Sequence, residues 1–267
     1  MTVITLATDF GLRNGFVGIM KGVIYRIAPQ VKIVDISHAI APQDVHEGAF
    51  TLWRAVPFFP SGTVHIYVVD PGVGTKRRPL AARLGDQYFV GPDNGLLTPL
   101  IEEAEQNQKT IEFIHLNNQK YWLPKISRTF HGRDIFAPSG AHLANGVPWS
   151  ELGMPFHDPV RMQLPRPEKK DNGWIAHITV IDVFGNLTTD LPVSALQGRT
   201  GVSFRLRGAE VRGIAESYGH KQSGELVAVV DSEDFLEIAL VNGSAAEKLD
   251  AKVGDVVEVI IERDFED

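Results

Sequence analysis

The segment that most constrains this chain is Val68-Val69-Asp70-Pro71-Gly72-Val73-Gly74-Thr75-Lys76-Arg77-Arg78. The apolar run before it, His65 to Val69, reads as a buried strand. Pro71 sets its own φ and keeps Asp70 extended. Gly72 and Gly74 let the backbone turn sharply or approach a ligand closely. A carboxylate at the C-terminal end of a buried strand stands where open α/β sheets bind their ligands. Arg77 and Arg78 follow, so an acid and a fixed cation can share one pocket. Taken alone, these residues also fit a solvated surface turn. A second segment of the same character, Thr129-Phe130-His131-Gly132-Arg133-Asp134, tips the reading toward a site.

Around these segments the first part of the chain alternates strands and helices. Val3 to Ala7 and Val31 to Ile36 read as strands, with Val64 to Val69 a third. Gly15 to Ile27 has helical spacing, with Phe16, Ile19, Met20, Val23, Ile24 and Ile27 on one side. Asp44 to Phe58 is helical through Val45, Ala49, Leu52, Trp53 and Val56, and Asp134 to Leu143 resumes a helical pattern. This order predicts right-handed crossovers and an α/β domain with a mainly parallel sheet. Tyr88-Phe89-Val90 leads into Gly91-Pro92-Asp93-Asn94-Gly95, another strand-to-loop junction.

The pattern changes at Leu164-Pro165-Arg166-Pro167-Glu168-Lys169-Lys170-Asp171-Asn172-Gly173, where two prolines, clustered charge and a closing glycine read as a linker. Beyond it, helix signals nearly vanish. Ile175–Ile181, Val202–Leu206, Leu226–Val230, Phe235–Leu240 and Val256–Ile261 alternate as short strands. That spacing predicts a small all-β, barrel-like domain. The expected division is 1–164, a linker 165–173, and 174–267.

Composition excludes several function classes. With 267 residues and 43% hydrophobic content, the chain can bury normal cores. A net charge of −7 argues against nucleic-acid binding through a basic face. There is no cysteine, hence no disulfide, thiolate metal site or thiol nucleophile. Met1 to Asp9 lacks a basic n-region and reads as a strand start, not a signal peptide. No apolar run is long enough to span a membrane, and a cytoplasmic protein is expected.

Four loops carry chemistry. Asp9, in Thr8-Asp9-Phe10-Gly11, suits a ribose diol, whose two hydroxyls one carboxylate accepts; a helix N-cap fits it equally. Asp70, Arg77 and His131 combine an acid, a guanidinium and an imidazole titrating near neutrality, a set able to orient and deprotonate a water. Phe184 and Asn186, in Ile181-Asp182-Val183-Phe184-Gly185-Asn186, offer a stacking ring and an amide for a purine edge, or form an ordinary turn. Asp9, His38, His65, Asp70 and His131 include metal-ligating types, but no zinc, calcium or paired-carboxylate spacing joins them, so no metal is expected. Gly72-Val73-Gly74 lacks the rest of a dinucleotide fingerprint and no Walker-type Gly-Lys-Ser/Thr occurs. The expected ligand is a nucleoside without a phosphate tail.

These loops, in this order, resemble the S-adenosyl-L-methionine hydroxide adenosyltransferases, or SAM hydrolases, which are related to the fluorinases and chlorinases. The matching segments include Thr8-Asp9-Phe10-Gly11, Val69 to Thr75, Gly91 to Gly95, Thr129 to Asp134, Asp182 to Asn186, Asp231-Ser232 and Leu236-Glu237-Ile238-Ala239. The resemblance implies an α/β N-terminal domain and a β-barrel C-terminal domain. It further implies a homotrimer whose sites combine one subunit's N-terminal domain with a neighbour's C-terminal domain. It assigns Asp70, Arg77 and His131 to catalysis and Asp9, Phe10, Asp182, Phe184, Asn186, Ser232, Glu237 and Val241 to substrate contacts. Asp9 would meet the ribose, Phe184, Asn186 and the main chain near Val241 the purine, and Asp182 and Ser232 the methionine. Halogenating relatives carry an arginine after the Ser232 position, a hydroxyl residue at the Gly132 position and a tyrosine at the His131 position. Here those positions hold Glu233, Gly132 and His131.

The implied reaction is attack of water on the 5′ carbon of S-adenosyl-L-methionine, releasing adenosine and L-methionine, with the (R)-sulfonium epimer a candidate substrate. No cofactor is expected, because S-adenosyl-L-methionine is itself the substrate. Arg77 would stabilise developing hydroxide, His131 would accept or relay the proton, and Asp70 would fix both arginine and water. The thioether leaves neutral and needs no acid. Two rival readings are a halogenase acting at the same carbon and a protein that binds adenosine or S-adenosyl-L-methionine without turnover.

Overall fold

The computed structural model describes residues 2–199 and 201–261. The chain divides into two compact units between Gln163 and Leu164.

The elements of the first unit are β1 (Val3–Thr8), α1 (Phe16–Ile27), β2 (Lys32–Ser37), α2 (Val45–Ala55), β3 (Val64–Val68), β4 (Pro79–Leu84), β5 (Gln87–Pro92), α3 (Thr98–Gln106), β6 (Ile111–His115), α4 (Ala137–Ala144) and β7 (Met154–Phe156). The sheet order is β2-β1-β3-β5-β4-β6-β7. Strands β2, β1, β3 and β5 pair in parallel, whereas β5, β4, β6 and β7 pair antiparallel. The sheet is therefore mixed, which corrects the expectation of a mainly parallel one. The cause is the hairpin joining β4 to β5 through Gly85-Asp86, with Leu84 opposite Gln87 and Gly85 at φ +63°. So short a connection permits only antiparallel pairing. The run Pro79–Leu84 carries too little alternation to stand out as a strand.

Strand β3 is buried along its whole length because both faces of the sheet are covered. Ile66 and Val68 face Met20 and Ile24 of α1 and Ala137 and Ala141 of α4. Tyr67 and the following Val69 point the other way, toward Ala49 and Leu52 of α2 and Leu100 and Ile101 of α3. Gly140 lets α4 approach closely: a Cβ there would lie 2.6 Å from Ile66 Cδ1. Helix α2 begins where Asp44 accepts from the Glu47 amide at 2.8 Å, while Glu47 reaches back to the Ala41 amide. On α1 the buried stripe is Val17, Met20 and Ile24; Phe16 and Ile19, expected on the apolar side, are 42% and 45% exposed.

The second unit contains β8 (Glu168–Lys170), β9 (Gly173–Ile181), β10 (Leu187–Pro192), β11 (Val202–Leu206), β12 (Ala209–Arg212), β13 (Leu226–Val230), β14 (Phe235–Leu240), α5 (Ala245–Leu249) and β15 (Val256–Ile261). The stretch read as a linker contains β8, which forms a hairpin with β9, Lys170 standing opposite Gly173. Its charged side chains lie on an exposed edge strand, so composition alone does not distinguish it from a linker. The main order is β12-β11-β15-β9-β10-β14-β13, antiparallel throughout. The long strand β9 pairs with β15 through its first half and with β10 through its second. Just beyond β12, the Ala215 amide donates to Ala228 O of β13 at 2.8 Å, bringing the two ends of the order together. The result is barrel-like, closed around Ile178, Leu187, Phe204, Leu236, Ile238, Val257 and Val259. No helix among the described residues is long and apolar enough to cross a membrane.

Candidate active site

Past the end of β3, the chain folds back within seven residues. Asp70 O accepts from the Val73 amide, and Gly72 O accepts from both the Thr75 amide and its hydroxyl, the latter at 2.7 Å. This tight loop returns Arg77 to Asp70. Gly74 has φ +76°, and a Cβ there would lie 2.3 Å from Arg128 O. Only glycine lets this loop lie against the segment that leads to His131. Asn94, from the junction after β5, braces the end of β3 by donating from Nδ2 to Val69 O at 2.8 Å.

The consecutive arginines part company. Arg78 turns to Asp93 at 2.9 Å and Asp158 at 2.7 Å, with its guanidinium over the Phe156 ring. Arg77 turns inward and grips Asp70 with two bonds, Nε to Oδ1 at 2.8 Å and a shorter one from Nη2 to Oδ2. The two side chains are only 9% and 5% exposed. Nη2 also lies 3.0 Å from His131 Nδ1, and the Phe136 ring sits 5.1 Å from the guanidinium carbon. Nη1 has no hydrogen-bond partner among the described residues and is available to a ligand or water.

His131 and Phe136 belong to one feature. A π-helical turn, Gly132–Phe136, opens into α4 in place of the regular helix expected from Asp134. Wide turns of this kind re-aim side chains and recur at functional sites. Here the turn directs His131 and Phe136 to the same guanidinium. Arginine has no lone pair to offer, so His131 Nδ1 must be the acceptor and the neutral ring carries its proton on Nε2. Burial and the adjacent Arg77 charge hold the imidazole below its ordinary range, so it is neutral at pH 7.

Asp134 anchors the turn. It is fully buried, accepts from Arg133 Nε at 2.6 Å, and accepts from the Ser127 amide at 2.7 Å. Burial alone would raise its carboxyl pKa, but the hydrogen bonds from Arg133 and Ser127 outweigh this and keep it low. Gly132 is closely packed: a Cβ would meet Met20 Sδ at 3.2 Å and Phe130 Cε2 at 3.3 Å. Phe10, Phe16 and Phe130 form an edge-to-face cluster beside it, with centroids 5.2 to 5.9 Å apart.

Asp9 lies at the end of β1, whose Thr8 pairs with Val68, so Asp9 and Asp70 emerge from adjacent parallel strands. It does not cap α1, which starts at Phe16 after Gly15; instead, its Oδ2 accepts from the Gln43 amide at 2.8 Å. The other histidines weighed as ligands are engaged elsewhere. His65 is held between Thr5 and Gln87, and burial pushes its pKa down to about 4. His38 Nδ1 meets Thr8 Oγ1 at 2.8 Å, and its Nε2 lies 3.1 Å from Asp35. Among the described residues, no three His, Cys, Asp or Glu side chains converge as metal ligands.

In the second unit, Asp182 organises its own loop. Oδ1 accepts from the Phe184 and Asn186 amides at 2.9 and 2.8 Å, and Oδ2 from Asn186 Nδ2 at 3.0 Å. Asn186 thus keeps its amide oxygen and one N–H for a ligand. Phe184 is 72% exposed at the loop tip, as a stacking ring must be before its ligand arrives. Glu237 is buried and accepts from Tyr218 OH at 2.7 Å and Thr188 Oγ1 at 3.3 Å. Burial, with Asp182 and Asp231 nearby, pushes its carboxyl pKa up. Ser232 is exposed and donates to Glu233 at 2.9 Å. Val241 uses both main-chain groups inside the unit: its amide donates to Glu225 O and its carbonyl accepts from Gly224.

The structure therefore gathers Asp70, Arg77 and His131, with Phe10 close by through Phe130, and in the second unit gathers Asp182, Phe184 and Asn186. Four supporting residues were not singled out from sequence: Asn94, Asp134, Phe136 and Tyr218. The first two lie in segments already picked out by their turn residues. Phe136 and Tyr218 carry no local signal.

Residues 4–153 match the SAM hydroxide adenosyltransferase N-terminal domain, and residues 176–258 match the C-terminal domain. An (R)-S-adenosyl-L-methionine hydrolase from Salinispora tropica is 38% identical over 96% of this chain and 97% of its own length. A fluorinase from an Actinoplanes species is 32% identical over 76% of each chain. The crystal structure of an uncharacterized conserved protein from Thermotoga maritima superposes with a TM-score of 0.89 at 37% identity, covering 96% of this chain and 99% of that one.

Proposed function

Since the chain belongs to the SAM hydroxide adenosyltransferase family, we propose that it hydrolyses S-adenosyl-L-methionine to adenosine and L-methionine and takes the (R)-sulfonium epimer, as its relative's name states of that protein. The observation that carries this reading is the chain Asp70–Arg77–His131, whose guanidinium keeps Nη1 free of any partner among the described residues. A water on Nη1 sits beside a cation that two neighbours hold in place, which stabilises negative charge as it develops on the oxygen. Water attacks the 5′ carbon, the carbon–sulfur bond breaks, and methionine leaves as a neutral thioether. The water's proton passes to His131 Nδ1 as that atom exchanges its contact with Arg77. Placement of water in line with the breaking bond contributes about 7–11 kcal/mol in such reactions.

Asp9 and Phe10 are the proposed ribose-side contacts. Asp182, Phe184, Asn186, Ser232, Glu237 and Val241 are the proposed purine and methionine contacts. No metal or cofactor enters the scheme, because Arg77 supplies the cation at the water. The homotrimer implied by the family resemblance and a cytoplasmic location, where S-adenosyl-L-methionine is made, belong to the same proposal. Gly132 disfavours halogenation, because it offers no hydroxyl donor to a halide.

The test is chromatography of products from each sulfonium epimer, with and without halide. Adenosine and methionine from the (R) epimer are expected. A 5′-halo-nucleoside would instead identify a halogenase, and binding without product a non-catalytic binder. Assembly is tested by mixing His131→Ala and Asn186→Ala proteins after dissociation. Sites shared between copies regain part of the activity; mixed assemblies that stay inactive refute them.

A further inference from the structure

We propose that Asp134 is a positioning residue for His131, clamping the Ser127–Phe130 turn so that the imidazole keeps Nδ1 toward Arg77. The proposal rests on the reading of Asp70, Arg77 and His131 as the water-activating set. His131 has little else to hold it. It follows an irregular stretch, Leu123 to Phe130, at the start of a π-helical turn.

The clamp is continuous. Asp134 Oδ2 accepts from the Ser127 amide at 2.7 Å, and Ser127 Oγ accepts from the Phe130 amide at 3.0 Å. The Asp134 amide donates back to Phe130 O at 3.1 Å, and Asp134 O accepts from the Leu123 amide at 2.9 Å. Arg133 takes the remaining carboxylate oxygen and lies over the Phe130 ring, 5.2 Å from its centroid. With Nδ1 accepting from Arg77, the ring's remaining donor is Nε2–H. Asp134 thus holds the turn that aims Nδ1 at Arg77, and that contact sets the tautomer.

This network differs from a merely structural ion pair in one testable respect: its effect on turnover must pass through His131. In the full-length protein, Asp134→Asn is expected to lower kcat by about tenfold to a hundredfold, the scale of a small misplacement, with KM little changed. In a His131→Ala background, the same substitution is expected to change kcat by less than about twofold, the additivity expected once the shared partner is gone. An equal loss in both backgrounds overturns the proposal. Nitrogen-15 spectra of His131 without ligand provide a readout independent of turnover. Wild type should hold one Nε2–H tautomer and Asp134→Asn a mixture; an unchanged spectrum overturns the clamp even if the enzyme reading stands. Conversely, a wild type without turnover sinks that reading while the spectra still decide the clamp. Should Asp134→Asn fail to fold, Arg133→Gln, which removes the side-chain brace on Asp134 together with the cation over Phe130, must show the same mixing of tautomers; an unmixed spectrum there also overturns the proposal.

Discussion

Replacing Asp70 with asparagine tests whether the Asp70–Arg77 pair is both a structural element and the support of the reaction. The substitution keeps the shape but exchanges one accepting oxygen for an amide that faces an Arg77 donor. Both side chains are at least 91% buried, so the guanidinium is left largely without water or an anion. Breaking such a pair by removing one partner costs about 3–5 kcal/mol. At about 2–4 °C per kcal/mol for a protein of this size, the melting temperature should fall by about 6–20 °C. Turnover should fall about a hundredfold or more, because the cation at the water is no longer held. Adenosine binding should persist, since Asp70 acts on the water and not on the purine. The double variant Asp70→Asn/Arg77→Gln removes both charges and should recover most of the stability, since two neutral amides can pair, but none of the turnover. Calorimetric melts, adenosine titration and product chromatography read these outcomes. An Asp70→Asn protein that melts and turns over like wild type would refute the reasoning, as would a double variant that regains activity.

Four further outcomes are expected. Turnover should fall on acidification along a limb below pH 6.5, because His131 must be neutral to accept from Arg77 and its pKa lies below the ordinary value; a limb centred above 6.5 contradicts this. His65 is neutral when folded, with a pKa near 4, and protonates first in the unfolded chain, so its contribution is complete above pH 6.5 and disappears as pH falls toward 4. That contribution is about 3 kcal/mol, and urea titrations at pH 7 and 4.5 should show a smaller acid loss in His65→Gln than in wild type. Gly132→Ser should cost about 1–3 kcal/mol by overpacking, nearer the lower figure because the Met20 thioether can move, and should yield no halogenated product; an unchanged melt is the contrary result. Dialysis against a chelator should leave turnover intact because Arg77 is the cation at the water, and activity lost and then restored by zinc or magnesium would overturn the arginine mechanism.

Much of the candidate site is legible in the chain because turn chemistry is local. Asp70-Pro71-Gly72 and Gly74 specify a strand that stops and a loop that turns back, using only steric rules for proline and glycine. The helical stripe of α2 and the alternation of β11, β13, β14 and β15 are likewise local periodicities. Sheet direction is not local. The hairpin at Gly85-Asp86 reverses the order of one half of the first sheet, and nothing in Pro79–Leu84 says which neighbour it will choose. In the same way, Glu168–Lys170 is charged enough to pass for a linker, and only its pairing with β9 makes it a strand.

The sequence by itself determined which residue types stand at the strand ends: an acid, a guanidinium, an imidazole and an aromatic loop tip. Tertiary structure alone decided how they are used. Arg77 and Arg78 are indistinguishable as neighbours in the chain, yet Gly74 packing on Arg128 sends one to Asp70 while Asp93 takes the other. His131 is an acceptor at Nδ1 only because the π-helical turn aims it at a group that has protons alone to give. Asn186 has its amide oxygen and one N–H left because Asp182 claims only the other. Tautomer, orientation and spare hydrogen bonds belong to pairs of residues distant in sequence, and such pairs exist only once the chain has folded.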